Sequence, residues 1–173
     1  MAQPQQNPAT PAPASAFVGN MAPLFTLEND DGKKVSLIDV MLQGPSMLVF
    51  YPGDFTPVCT KQLCSYQNAM ERFKALGVQV IGISQNTPAQ HKAFRQKYGF
   101  EFPLLTDPKR ELTKVYGVTS LFMLGGTSRA VFIISKSGRI LYRYVEATRL
   151  SHRNPDELME AIIQLKNSGK LTS

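Results

Sequence analysis

Cysteine is scarce in this chain: Cys59 and Cys64 are the only two among 173 residues. So few thiols exclude a disulfide-stapled scaffold. A structural zinc site wants four ligands, and the two histidines, His91 and His152, lie far from the thiols in sequence. What remains for the pair is redox chemistry or inert burial. Long apolar runs are also missing, none approaching the roughly 20 residues needed to cross a bilayer, so no membrane partner is expected. The opening stretch, residues 1–15, has neither basic residues nor an apolar centre and reads as neither signal nor transit peptide, which makes the cytoplasm the expected address. Acidic residues are outnumbered, 13 against 19 Lys and Arg, for a net charge of +6. The basic residues are scattered and not interleaved with aromatics, so they read as solvated surface and no nucleic acid is expected.

Residues 1–16 are rich in Pro, Ala and Gln and read as a disordered, solubilising tail. Residues 17–173 read as one domain. A short strand over Pro23–Glu28 is turned by Asn29–Gly32, and Ser46–Tyr51 is a continuous apolar run, as in a strand buried on both faces. A helix is predicted from Pro57 to Leu76, stopped by Gly77, followed by a buried strand over Val78–Ser84. A helix from Pro88 to about Tyr98, a short strand over Phe102–Leu105 and a short helix over Pro108–Tyr116 come next. Arg129–Ser135 and Ile140–Val145 form a hairpin, and an amphipathic helix over Pro155–Leu165, capped by Asn154, completes the chain. This order predicts an α/β, thioredoxin-like fold with a central mixed β-sheet flanked by helices. The apolar stretch Val118–Leu124 reads as core packing, as a wall of the site mouth, or as the patch that docks a reductant or a second subunit. His91, among charged neighbours, reads as a surface residue, and so does His152.

The chemistry is carried by Tyr51-Pro52-Gly53-Asp54-Phe55-Thr56-Pro57-Val58-Cys59, which follows a buried strand and enters a helix. Loops at the carboxyl ends of parallel strands are where such sheets bind ligands. Pro57 suits the first helical position, making Thr56 the N-cap and placing Cys59 in the first turn. The thiolate is the nucleophilic form of cysteine, and the unpaired N–H groups and partial positive charge of a helix start favour an anion. Cys64 lies five residues further on the same helix. In an intact helix their Cα atoms are roughly 8–9 Å apart, beyond the ~6.8 Å limit of a disulfide. If the two cysteines pair, the first turns must unwind.

These residues resemble the peroxiredoxins of the AhpC/TSA superfamily. Pro52, Thr56 and Cys59 match the P-x-x-x-T/S-x-x-C signature, and the family's active-site arginine falls on Arg129, before the apolar run Ala130–Ile134. The Cys59–Cys64 spacing is that of the bacterioferritin-comigratory, or peroxiredoxin Q, subgroup, and the resemblance runs from about Met21 to the C-terminus. It implies an atypical 2-Cys peroxidase for hydrogen peroxide and organic hydroperoxides. Cys59 attacks the peroxide and becomes a sulfenic acid. Cys64 resolves it as an intramolecular disulfide, and thioredoxin or a similar dithiol recycles it. Pro52 would shield the sulfur. Thr56 would bond the thiolate and the peroxide oxygens, alongside N–H groups near Val58 and Cys59. Arg129 would stabilise the thiolate and polarise the O–O bond. No cofactor and no metal are expected, and the chain is expected to be a monomer or weak homodimer. Two other classes compete: a thiol–disulfide exchanger, disfavoured by the C-x-x-x-x-C spacing, and a non-enzymatic redox sensor.

Overall fold

A computed structural model describes residues 16–120, 126–148 and 150–172. The predicted tail lies outside these apart from Ala16, as does most of the apolar loop, residues 121–125.

The chain opens with β1 (Thr26–Asn29), β2 (Lys34–Ser36) and α1 (Leu37–Gln43), then enters β3 (Ser46–Phe50). The stretch after β3 folds as α2 (Pro57–Asn68), α3 (Met70–Ala75), β4 (Gln79–Ser84), α4 (Pro88–Tyr98) and β5 (Leu104–Thr106). After these come α5 (Glu111–Val115), the short pair β6 (Thr119–Ser120) and β7 (Gly126–Thr127), the hairpin β8 (Ala130–Ile134) and β9 (Ile140–Val145), and α6 (Pro155–Asn167). Among the described residues, seven strands form one sheet in the order β2-β1-β5-β4-β3-β8-β9. Its β3–β4 and β4–β5 pairs are parallel, and the remaining pairs are antiparallel. That is the mixed sheet predicted from the element order.

β3 runs through the middle, and all five of its residues are buried. Strand side chains alternate between faces. Met47 and Val49 join Leu63, Tyr66, Phe73, Phe94 and Ile162, from α2, α3, α4 and α6, in one core. Leu48 and Phe50 join Leu37, Val40 and Leu112, from α1 and α5, in the other. On β4, a Cβ at Gly82 would come within 2.6 Å of the Leu104 Cδ2 methyl and 3.3 Å of the Tyr51 ring, so any side chain there would displace the packed Leu104 side chain.

Several elements differ from expectation. The single helix predicted over Pro57–Leu76 is two, because Ala69 leaves helical geometry and its N–H is shared between the Ser65 and Tyr66 carbonyls. α5 starts later than Pro108 because the Asp107 carboxylate takes the Leu112 and Thr113 N–H groups and so sets the first turn. β2 and α1 were not predicted at all. Ser36 caps α1 by accepting from the Asp39 N–H at 3.1 Å while donating to that carboxylate at 2.7 Å.

Candidate active site

Strand register builds the site. Phe50, the last residue of β3, pairs with Ala130, the first of antiparallel β8, so Arg129 arrives beside the loop that leaves β3. Phe50 also pairs with Ile83 of parallel β4, which brings Gln85–Thr87 and the start of α4 to the same sheet end. Three segments distant in sequence therefore meet at the carboxyl end of β3.

At this meeting point the Arg129 guanidinium donates through Nη1 to Cys59 Sγ at 2.7 Å. Cys59 is fully buried and Arg129 only 6% exposed. A charged donor on a thiol sulfur in a dry setting is strongest when the sulfur is the thiolate. The same Nη1 lies 3.3 Å from Gln62 Oε1. The Gln62 amide then donates to the Tyr66 hydroxyl at 3.1 Å, which donates to the Arg153 carbonyl at 2.7 Å. Burial pushes the Tyr66 phenol well above its ordinary range, so it stays a donor. One chain of hydrogen bonds thus runs from the sulfur's arginine along α2 to the segment that enters α6.

Thr56 is the N-cap of α2 by backbone geometry, its carbonyl accepting from the Thr60 N–H at 2.9 Å. Its side chain makes no capping bond; the hydroxyl donates to the Gly53 carbonyl at 3.1 Å and leaves its lone pairs to other donors. Val58 and Cys59 supply first-turn N–H groups that an α-helix itself leaves unbonded. Pro52, half-buried, opens the loop. Cys64 is half-buried on the same unbroken helix, both thiols are free, and burial pushes the Cys64 thiol up from its ordinary value.

Both histidine expectations are corrected. His91 is fully buried, with Nδ1 2.7 Å from Asp54 Oδ2. Its place on the inner face of α4, three residues before buried Phe94, outweighs its polar sequence neighbours. His152 is half-buried, and burial together with the nearby charge of Arg129 lowers its pKa. Sequence reasoning also missed Gln62, although its spacing from Cys59 and Tyr66 puts all three on one face of α2.

A thioredoxin-like sheet that presents a helix-start cysteine to a buried arginine is the class of protein this structure defines. Within that class the chain belongs to the AhpC/TSA family, whose profile matches residues 18–143. It is 40% identical over 131 residues to the chloroplastic peroxiredoxin Q of Suaeda salsa, covering 75% of this chain and 61% of that one. It is 34% identical over 153 residues to the chloroplastic peroxiredoxin Q of Sedum lineare, covering 88% and 81%. The aligned stretch spans about three fifths of the length of the Suaeda, wheat and gentian relatives it matches. The bacterioferritin comigratory protein of Xanthomonas campestris superposes with a TM-score of 0.72 at 24% identity, over 81% of this chain and 90% of that one, and shares the fold.

Proposed function

We propose that the protein is a thiol peroxidase acting on hydrogen peroxide and organic hydroperoxides. The observation that carries this reading is the 2.7 Å contact between the buried Arg129 and the Cys59 sulfur at a helix start. Exchange with a disulfide needs no such donor, whereas breaking an O–O bond sends charge onto a leaving oxygen that a fixed cation stabilises. The Cys59 thiolate attacks one peroxide oxygen. The S–O bond forms as the O–O bond breaks, and the departing alkoxide or hydroxide takes a proton to leave as alcohol or water. Thr56 and the first-turn N–H groups hold the peroxide, and Pro52 shields the sulfur. The Cys64 thiol then displaces water from the Cys59 sulfenic acid, closing a disulfide. An external dithiol of the thioredoxin type returns both cysteines to thiols.

Intact mass and thiol count after one equivalent of hydrogen peroxide test the cycle. The reduced protein should lose both thiols and about two hydrogens within seconds. Cys64→Ser should stop with one added oxygen, a sulfenic acid on Cys59. Survival of both thiols for many minutes would overturn the reading.

The resolving step should carry its own pH profile. In the folded helix burial holds Cys64 as the thiol, and an unbroken α2 keeps it from Cys59. If α2 unwinds first, Cys64 titrates as an ordinary exposed cysteine. Disulfide closure should then accelerate as pH rises and level off above about 8.5. Rapid-quench mass spectrometry of pre-formed sulfenic acid measures this, and a midpoint far above that value would mean Cys64 reacts from the folded helix.

A further inference from the structure

His91 is fully buried, yet the reaction above has no use for it. Its Nε2 lies 3.2 Å from the Leu105 carbonyl oxygen, and its Nδ1 lies 2.7 Å from Asp54 Oδ2. The other Asp54 oxygen accepts from the Tyr51 hydroxyl at 2.6 Å. A carbonyl only accepts, so Nε2 carries a proton. The contact between Nδ1 and the carboxyl group needs one proton more. Whichever atom holds that proton, imidazole and carboxyl together are neutral. Tyr51, its ionisation pushed up chiefly by burial, stays a donor. The cluster is thus a complete hydrogen-bonded set of zero net charge, the form in which polar groups are tolerated in a dry core.

The cluster sits where the active-site loop is fastened to α4. Phe55, next in sequence to Asp54, has φ 61°, a conformation a bulky side chain takes only when its surroundings impose it. Its ring packs 4.9 Å from Phe94, and the Lys97 ammonium lies 5.8 Å from its centre. His91, Phe94 and Lys97 recur every third residue and so share one face of α4. The Asp54 N–H donates to Asn86 Oδ1 at 2.9 Å, tying the loop to the end of β4 as well. These contacts join Asp54 and Phe55 to Tyr51, to Asn86 between β4 and α4, and to α4 itself, and Thr56 and α2 begin immediately after.

We propose that Tyr51, Asp54 and His91 are positioning residues for Cys59, a neutral clamp that pins the loop to α4 and thereby aims the first turn of α2 at the peroxide. The inference rests on the peroxidase reading.

The test uses the full chain carrying Cys64→Ser and two rate constants, one with hydrogen peroxide and one with iodoacetamide, which needs a thiolate but no held peroxide. His91→Phe leaves the Asp54 carboxyl without its partner, and Asp54→Ala leaves His91 and Tyr51 without theirs. Each should slow the peroxide reaction about 30-fold or more while changing alkylation less than about 3-fold. Asp54→Asn can still accept from Tyr51 and donate to Nδ1, so the neutral set survives and the peroxide rate should stay within about 3-fold of the parent. If Asp54→Ala or His91→Phe fails to fold, Asp54→Asn alone decides. The proposal is overturned if Asp54→Asn slows the peroxide reaction 30-fold, if folded His91→Phe keeps the parent's peroxide rate, or if peroxide and alkylation rates fall together. Failure of the peroxidase reading looks different: the parent itself alkylates but does not react with peroxide.

Discussion

Cys59→Ser should abolish peroxide consumption in the presence of a dithiol donor, with a loss on the order of 10⁴-fold or more, as when a covalent nucleophile is removed. A serine hydroxyl is not ionised near neutral pH, so Arg129 would face a neutral group and no nucleophile would be generated. Cys64 cannot take over. Burial holds it as the thiol, and it lies a turn and a half along the helix from the sulfur that Arg129 contacts. The substitution is nearly isosteric in a fully buried site, so the melting temperature should change little, which separates lost chemistry from lost fold. Peroxide assay over time measures it, and retention of more than about one per cent of the wild-type rate would remove Cys59 from the role of nucleophile.

Much of the scaffold was legible because its signals are local. The all-apolar run of β3, Pro57 at the first helical position and the Asn154–Pro155 start of α6 each act within a few residues, and the structure has them where the sequence put them. The capping box between Asn154 and Glu157 completes the last of these. α1 carries a similar signal, Ser36 followed three residues later by Asp39, but a short carboxylate stands where the commoner capping box has Glu or Gln.

The site was legible only in part, because half of it is long-range. Nothing local to Arg129 says that it meets Cys59. That follows from the antiparallel register of β3 on β8, and beforehand only a family resemblance pointed to it. Gln62 and Tyr66 looked like ordinary mid-helix residues because their partners come from Arg129 and from the segment entering α6. His91 was misread for a related reason. Gln90 and Lys92 beside it are polar, but side chains adjacent in a helix point different ways, and the period joining His91 to Phe94 carries the burial.

Arg129→Met should lower the rate of Cys59 oxidation about 10²- to 10³-fold, the cost of removing one preorganised donor from a developing negative charge. The guanidinium is almost fully buried, so water does not replace it, and methionine fills similar space without a donor. The Cys59 sulfur, at 2.7 Å, and Gln62 Oε1, at 3.3 Å, both lose a partner. Arg129→Lys distinguishes charge from shape. An ammonium keeps the charge but is a compact point on a flexible stem, without the rigid planar fork that holds one nitrogen, Nη1, against both the sulfur and Gln62. Lysine should therefore recover no more than about tenfold of the methionine loss. If lysine matches arginine, net charge alone suffices and the fork is incidental. If methionine already matches arginine, the contact on Cys59 does not drive the oxidation, and the α2 N-terminus must supply the stabilisation by itself.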